Sequence, residues 1–380
     1  MKTDTLTWNT KNGWTPALAS APDAADLILY FGSTHLLAQT AGALSELLDR
    51  YPGAVCAGCS TAGEILGTNV TDDTIAVLCI KFASTKVRAE SIIVKDVAES
   101  HQAAATLGQR LAAPDLRHVL VLSDGLLVNG TSLTTGFRAS LPSTVHVTGG
   151  LAGDGSHFKR TLAGLGRDIS PGRVVAIGFY GQHLTLTHGS AGGWTAFGPR
   201  RLVTSSVGNV LFTLDGQPAL ALYKSYLGDR AAGLPATGLL FPLELLPDKT
   251  VQHGLVRTIL AVDEAKQSLT FAGDIPQGHY VSLMKANTDA LVGGAESAGR
   301  IALNSPDPAN SFAVLVSCVG RRLVMGQRIE EEVEAVLDQI GRGVAAAGFY
   351  SYGEICPSGL VHSCDLHNQT MTLTVFTEAA

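Results

Sequence analysis

Two distant stretches of the chain follow one design. AGCSTAGEI (Ala57 to Ile65) and GFYSYGEIC (Gly348 to Cys356) each continue a strand of small residues, carry a serine in mid-loop and run into Gly-Glu-Ile, so that Gly63-Glu64 falls on Gly353-Glu354. A repeated supersecondary unit constrains a fold strongly, because each copy needs its neighbour to bury its apolar face. The match points to an internal duplication and to two lobes of related design.

The hydrophobic periodicity agrees. From Asp26 it alternates strand DLILYFGS, helix THLLAQTAGALSELLDRY, strands AVCAGCSTAGEI, TIAVLCIKF and VRAESIIV, a helix over 97–112, strand RHVLVLSD, helix TSLTTGFRASL and strand VHVTGGL. Residues 158–212 read as a β-meander of short strands parted by glycine turns. A break at Gly216-Gln217-Pro218 opens helix PALALYKSYLG, since proline is well tolerated in a first helical turn. The second half then repeats the theme with strands VRTILAVDE, SLTFAGD and HYVSLMKA, helix DALVGGAESAGRIALN, strand SFAVLVSCVG, helix RIEEEVEAVLDQIG and strands GVAAAGFYSYGEI and QTMTLTVFT. The expected class is α/β, mixed α+β: two related lobes of layered β-sheets flanked by helices. The boundaries read as an N-terminal extension over 1–25, a first domain over 26–215 and a second over 216–380.

Composition narrows the function classes. A chain of 380 residues with 46% hydrophobic and 16% charged residues has ample length and apolar content for packed cores. No cluster of basic residues is longer than a pair such as Arg200–Arg201 or Arg321–Arg322, and the formal net charge is -6, so the basic stripe that a nucleic acid requires is missing. The first thirty residues hold Asp4, Asp23 and Asp26 without an apolar run behind a basic leader, and no apolar stretch is long enough to span a bilayer. The expectation is a cytoplasmic protein with neither nucleic-acid nor membrane partners. Six cysteines (Cys56, Cys59, Cys79, Cys318, Cys356, Cys364) read as reduced core thiols. The pair Cys56-x-x-Cys59 lacks the further ligands of a zinc site, and Ser60 in place of histidine removes c-type haem attachment.

Taken in order, GCSTAGEI, SDGLLVNGT, GGLAGDGSHFKRT, SCVGRRLVMGQRIEEEVEAVL and GFYSYGEICP followed by CDLHNQTMTLTVF resemble the FIST (F-box and intracellular signal transduction) proteins, with a FIST N unit followed by a FIST C unit. Each motif is mostly a small-residue turn, so the ordered set carries the resemblance. It implies a bacterial sensory module that binds a small ligand and reports it to histidine kinases, cyclases or chemotaxis receptors. Amino-acid-like ligands are implied for the family at large. A subset similar to this chain in its closing segments implies a haem protein that senses nitric oxide and inhibits a partner histidine kinase. With no kinase, receiver or HAMP segment in the sequence, output is expected through a separate partner, and no enzymatic activity is expected.

The candidate site residues follow. His367, in CDLHNQT, is the first candidate for a haem iron ligand, because neutral imidazole is the usual proximal donor; as turn residues, His367 and Asn368 would instead hydrogen-bond backbone. Tyr350 and Tyr352 share one face if their segment is extended, and could hold iron or stack on a flat ligand, or belong to the core. Cys356, followed by Pro357, is the lower-ranked iron donor, and Glu354 reads as a turn cap beside the ligand. In GGLAGDGSHF, Gly150 and Gly153 would let backbone N–H groups approach an anion while Asp154 grips an amino group. Asp124 and Asn129, at the carboxyl end of an apolar strand, are candidate pocket walls, with helix capping the plain alternative for Asn129. The glutamates from Glu330 to Glu334 read as a solvated helix face, or else a docking face for a scaffold. A nucleophilic site at Cys59 or Ser60 with Glu64 is the enzymatic alternative, but no histidine follows within thirty residues of Cys59.

Overall fold

The computed structural model describes residues 1–39, 42–302, 307–358 and 362–379. Strand Leu27–Gly32 pairs in parallel with Val55–Ser60 and antiparallel with Thr74–Lys81, and helices Thr34–Leu37 and Ala43–Arg50 cross over between the parallel pair. Leu116–Ser123 stands in the same relation to His146–Leu151 and Arg173–Tyr180, with helix Gly130–Ser140 as crossover. Ser311–Cys318 does so again with Ala345–Ser351 and Met371–Glu378, crossed by helices Val319–Met325 and Glu330–Ile340. A flanking strand from earlier in the chain widens each triplet: Lys2–Asn9, Lys86–Ile93 and Leu184–Ala191. The unit therefore occurs three times.

Between its second and third strands each repeat sends a hairpin into another repeat's sheet. Glu64–Leu66 with Asn69–Thr71 extends the sheet at Ala345–Ser351. Ala163–Leu165 with Asp168–Ser170 extends it at Val55–Ser60, and Gly353–Ser358 with His362–His367 extends it at His146–Leu151. The exchange is cyclic, so no repeat completes its own sheet. Register makes Gly58, Gly149 and Gly348 equivalent, paired with Tyr30, Val121 and Leu315. A Cβ at these glycines would lie 2.0, 1.9 and 1.8 Å from the carbonyl oxygens of Tyr30, Val121 and Leu315.

Both faces of each sheet are covered, so the central strands read as continuous apolar runs. Alternate residues (Leu27, Leu29 and Phe31; Leu120 and Leu122; Phe312, Val314 and Val316) meet in one core shared by the three sheets, where Phe31 stacks on Phe349 at 5.1 Å and Phe312 on Phe376 at 4.5 Å. The residues between them face the helices: Ile28 with Leu44 and Leu47, Val121 with Leu133 and Phe137, Leu315 with Val333 and Val336.

A fourth sheet, spanning residues 195–285, interrupts the third repeat between its edge strand Leu184–Ala191 and helix Thr288–Ile301. With helix Ala219–Leu227 it has a core of its own, including Val203, Leu220, Tyr223 and Phe271.

The mixed α+β class with layered sheets and flanking helices is the one read from the sequence. Its internal repetition goes one copy further, because the second repeat has Ala163-Gly164 where the others have Glu64-Ile65 and Glu354-Ile355. The stretch read as a meander is shared among four sheets, since the chain passes to a new sheet after Asp168–Ser170, after Arg173–Tyr180 and after Leu184–Ala191. The helix read over THLLAQTAGALSELLDRY is two, Thr34–Leu37 and Ala43–Arg50. Lys2–Asn9, assigned to an extension, is a strand of the first sheet, paired with Thr74–Lys81 on one side and Gly13–Thr15 on the other, and the fourth sheet runs across the 215/216 boundary.

The matched glutamates are buried in matched surroundings. Thr61 Oγ1 donates to Glu64 at 2.5 Å, and Thr74 donates to it through N and Oγ1 at 3.2 and 2.9 Å. Ser351 Oγ donates to Glu354 at 2.7 Å, and Thr370 through N and Oγ1 at 3.1 and 2.9 Å. The equivalent hydroxyls are thus Thr61 and Ser351, not Ser60. Burial outweighs these bonds and lifts both carboxyls to about 7.

A carboxyl raised above its ordinary value of 4.5 supports the fold most while protonated, so its contribution is present below that pH and lost as pH rises through about 7. Glu354→Gln should therefore flatten the decline of unfolding free energy between pH 4.5 and 7, measured by denaturant titration. Profiles that stay parallel to wild type would sink this account. Gly348→Ala should lose about 1–3 kcal/mol or more through overpacking. Gly53→Ala, whose Cβ would meet nothing within 4 Å, should stay within about 0.5 kcal/mol of wild type in the same assay.

Candidate functional site

A cleft of about 1180 Å³ opens where the inserted sheet meets the repeat body. Its walls come from the end of strand Leu184–Ala191 and the link to Trp194, from insert strands Leu243–Leu246 and Leu255–Arg257, from the segment Asp274 to His279, and from the hairpin strand His362–His367. Polar contacts hold the insert in place over it. Arg257 Nη1 donates to Leu366 O at 3.0 Å, Thr258 N to Asn368 Oδ1 at 3.4 Å, Gln369 Nε2 to Leu239 O at 2.9 Å and Trp194 Nε1 to Gln369 O at 2.8 Å. The LHNQT turn is thus the dock between insert and body.

Two arginines line the cleft and differ in how their charge is met. Arg138 pairs with Asp365 and donates to Cys364 O at 3.0 Å. Arg257, 4% exposed, donates among the described residues only to carbonyls: Asp274 O and Val256 O at 3.3 Å each, besides Leu366 O. Burial draws its pKa down to about 10 against the charges of Asp274 and Asp365.

Burial holds two imidazoles of the cleft, His367 and His188, in the neutral form. Burial lowers His367 to about 4, and its Nε2–H donates to Cys356 O at 3.0 Å. His188, lowered to about 4 by burial and then by His146, shares a 3.1 Å bond from Nε2 to His146 Nδ1. Cys356 Sγ lies 3.9 Å from His188 Nδ1 and from Gly189 O, and burial pushes its thiol up to about 12. All six cysteines are buried free thiols.

Of the residues singled out in the sequence, His367 lines this cleft and the others lie elsewhere. Tyr350 is fully buried and its hydroxyl donates to Glu332 at 2.6 Å. Glu332 is buried too: it pairs with buried Arg321 at 2.7 Å and accepts from Ser317 at 2.9 Å, which corrects the reading of the glutamate run as wholly solvated. Tyr352 donates to Asp154 and stacks on Phe158 at 4.4 Å. Asp154 also accepts from the backbone N–H of Phe158, Lys159 and Arg160, each at 2.8 Å, and so clamps its own loop beside a smaller cleft of about 630 Å³. The N–H of Gly153 donates to Ser60 O at 3.0 Å, and Gly150 sits beneath the side chain of Val316.

Asp124 accepts from Leu126 N, Leu127 N and Thr161 Oγ1 at 2.8, 2.6 and 2.7 Å. Asn129 caps its helix through Ser132 N at 2.8 Å, and Asn368 spends its amide on His367 O and Thr258 N. Glu354 is enclosed by Ser351 and Thr370. Sequence reasoning missed Arg257, Arg138, Trp194 and His188. An arginine inside the apolar run LVRTILAV was the one local signal, and only the insert's docking gives it meaning.

Among the described residues, no helix is long and apolar enough to cross a membrane. No curated protein matches the chain. Among solved structures, a cyanuric acid hydrolase from A. caulinodans aligns over 100% of this chain and 99% of its own at 10% identity, with a TM-score of 0.37. The FIST N domain matches residues 26–217 and the FIST C domain residues 219–357. These two adjoining matches span most of the sequence, and the chain belongs to the FIST family of sensory signal-transduction domains.

Proposed function

We propose that this chain binds a small ligand in the cleft between its repeat body and inserted sheet, and passes the occupancy to a separate signalling protein such as a histidine kinase. The observation that carries this reading is that the cleft's walls belong to two units with separate cores. A ligand touching both favours one relative placement over others, and that differential affinity is what a sensor needs.

Haem, in the service of nitric-oxide sensing, is the first ligand to test. Its support is the volume of the cleft, somewhat above that of a drug-sized small-molecule site, together with a neutral imidazole in a wall shared with Trp194, Leu255 and Met284. Among the iron donors considered, His367 fits: with Nε2 carrying the proton, Nδ1 keeps the lone pair. Cys356 is held as a thiol, and burial raises Tyr350 and Tyr352, so anionic donors fit poorly. Haem would supply iron able to take up nitric oxide, while His367 would hold it and the apolar walls would exclude water.

The second reading, a sensor of amino acids or related polar metabolites, is favoured by the presence of Arg257 and Glu244 in the same cleft. A binding role rather than catalysis is supported at Cys59, whose thiol burial raises, and at Ser60, whose hydroxyl is engaged by Gly153 O and Leu162 N at 2.7 and 2.8 Å. A scaffold that docks partners without any ligand leaves the cleft unused.

Titrating haem into the purified chain should produce a Soret band distinct from that of free haem and sensitive to nitric oxide, and His367→Ala should weaken it. A spectrum matching haem in buffer, alongside a rise in thermal midpoint with an amino acid, would turn the reading to the polar metabolite.

A further inference from the structure

We infer that Arg257 is the docking point for a carboxylate on the ligand of this cleft. The inference rests on the ligand-binding reading and names the chemistry of what binds. Arg257 is 4% exposed and lines the cleft, yet its hydrogen-bond partners are three neutral carbonyls, those of Val256, Asp274 and Leu366. Among the described residues, no carboxylate oxygen lies within 4.0 Å of it and its Nη2 has no hydrogen-bond partner. A largely buried guanidinium whose nearest carboxylates, Asp274 and Asp365, act on it only from beyond contact distance is costly to keep, because burial outweighs their charges.

The nearby acids are engaged elsewhere. Asp365 is paired with Arg138, and Asp274 accepts from Asn129 Nδ2 at 3.2 Å. The carbonyls fix the guanidinium at Nε and Nη1, which leaves Nη2 to meet an incoming acceptor. A monoanion balances a single guanidinium better than a dianion does, and a carboxylate oxygen accepting from Nη2 makes a charge-assisted hydrogen bond. The carboxylate could belong to an amino acid or to a haem propionate. Arg257 joins the insert to Leu366 of the body, so a ligand held there sits at the junction of the two units.

Thermal unfolding of the full chain should rise saturably with acetate and not with acetamide or chloride at matched ionic strength. Arg257→Gln should remove the acetate effect and Arg257→Lys should keep part of it. For larger probes, haemin should bind about ten- to hundredfold tighter than haemin dimethyl ester, and L-leucine than L-leucinamide if that pair binds, the scale of a hydrogen bond to a charged group. That discrimination should collapse in Arg257→Gln.

The comparison of acetate with acetamide on wild type needs no variant, so it decides the matter even if Arg257→Gln fails to fold. An acetate effect absent from wild type, or surviving in Arg257→Gln, overturns the inference. If haemin and its ester then bind equally well, the cleft remains a ligand site and only the role of Arg257 is lost. An acetate effect that depends on Arg257, with neither haemin nor amino acids binding, keeps the inference and removes the two ligand identities proposed above.

Discussion

The fold depends on how closely the second strand of each repeat approaches the first. Gly58, Gly149 and Gly348 occupy the same place in three parallel pairs, and at each a Cβ would collide with a backbone carbonyl. On its other edge that second strand receives a hairpin from a different repeat. A shift at any glycine would therefore disturb a sheet built from two repeats, and the core common to all three sheets would feel it. The cyclic exchange makes the body one cooperative unit, whereas the inserted sheet, with its own core, takes no part in it.

The repeats share a frame and differ in how they handle buried polar groups. The first and third each bury a glutamate against a hydroxyl three residues earlier and a threonine that opens or directly precedes the next long strand. The second has Ala163 in that register and a longer loop, pinned by Asp124 through Thr161 and by Asp154 through its own backbone. The tyrosine loop then ties the repeats together. Tyr352 reaches Asp154 of the second repeat, and Arg322, just after the strand Ser311–Cys318, reaches Asp72 and Ala62 O of the first while lying over the Tyr350 ring.

Much of this was legible in the sequence, for a physical reason. Strands buried on both faces give continuous apolar runs, and helices over them keep their periodicity, so the mixed class and most elements could be read directly. The Gly-Glu-Ile match was also a true equivalence of position. The third copy stayed hidden because the residues that marked the other two are replaced, and hairpin exchange leaves no local trace in a chain. For the candidate site, the structure places His367 of the polar turn on the cleft wall and Tyr350, Tyr352 and Asp154 in internal contacts away from it, because tyrosine and aspartate in a glycine-rich loop serve binding and bracing equally well. Burial and partners separate the two roles, and neither is a property of the local sequence.

The cleft lies where the threefold pattern is broken. The flanking strand leads to the first strand of its triplet through a small hairpin and turn in the first repeat and through helix Ser100–Leu111 in the second, whereas in the third the whole inserted sheet intervenes. Symmetric positions are occupied by packing, since each must satisfy the same exchange; the interruption adds a surface that the exchange does not constrain. Arg257 and the LHNQT turn face each other across that junction, and their contacts are single hydrogen bonds rather than a shared core. On the proposed reading, a ligand placed there acts on a seam closed by hydrogen bonds, where binding energy shared between insert and body favours one relative placement of the two.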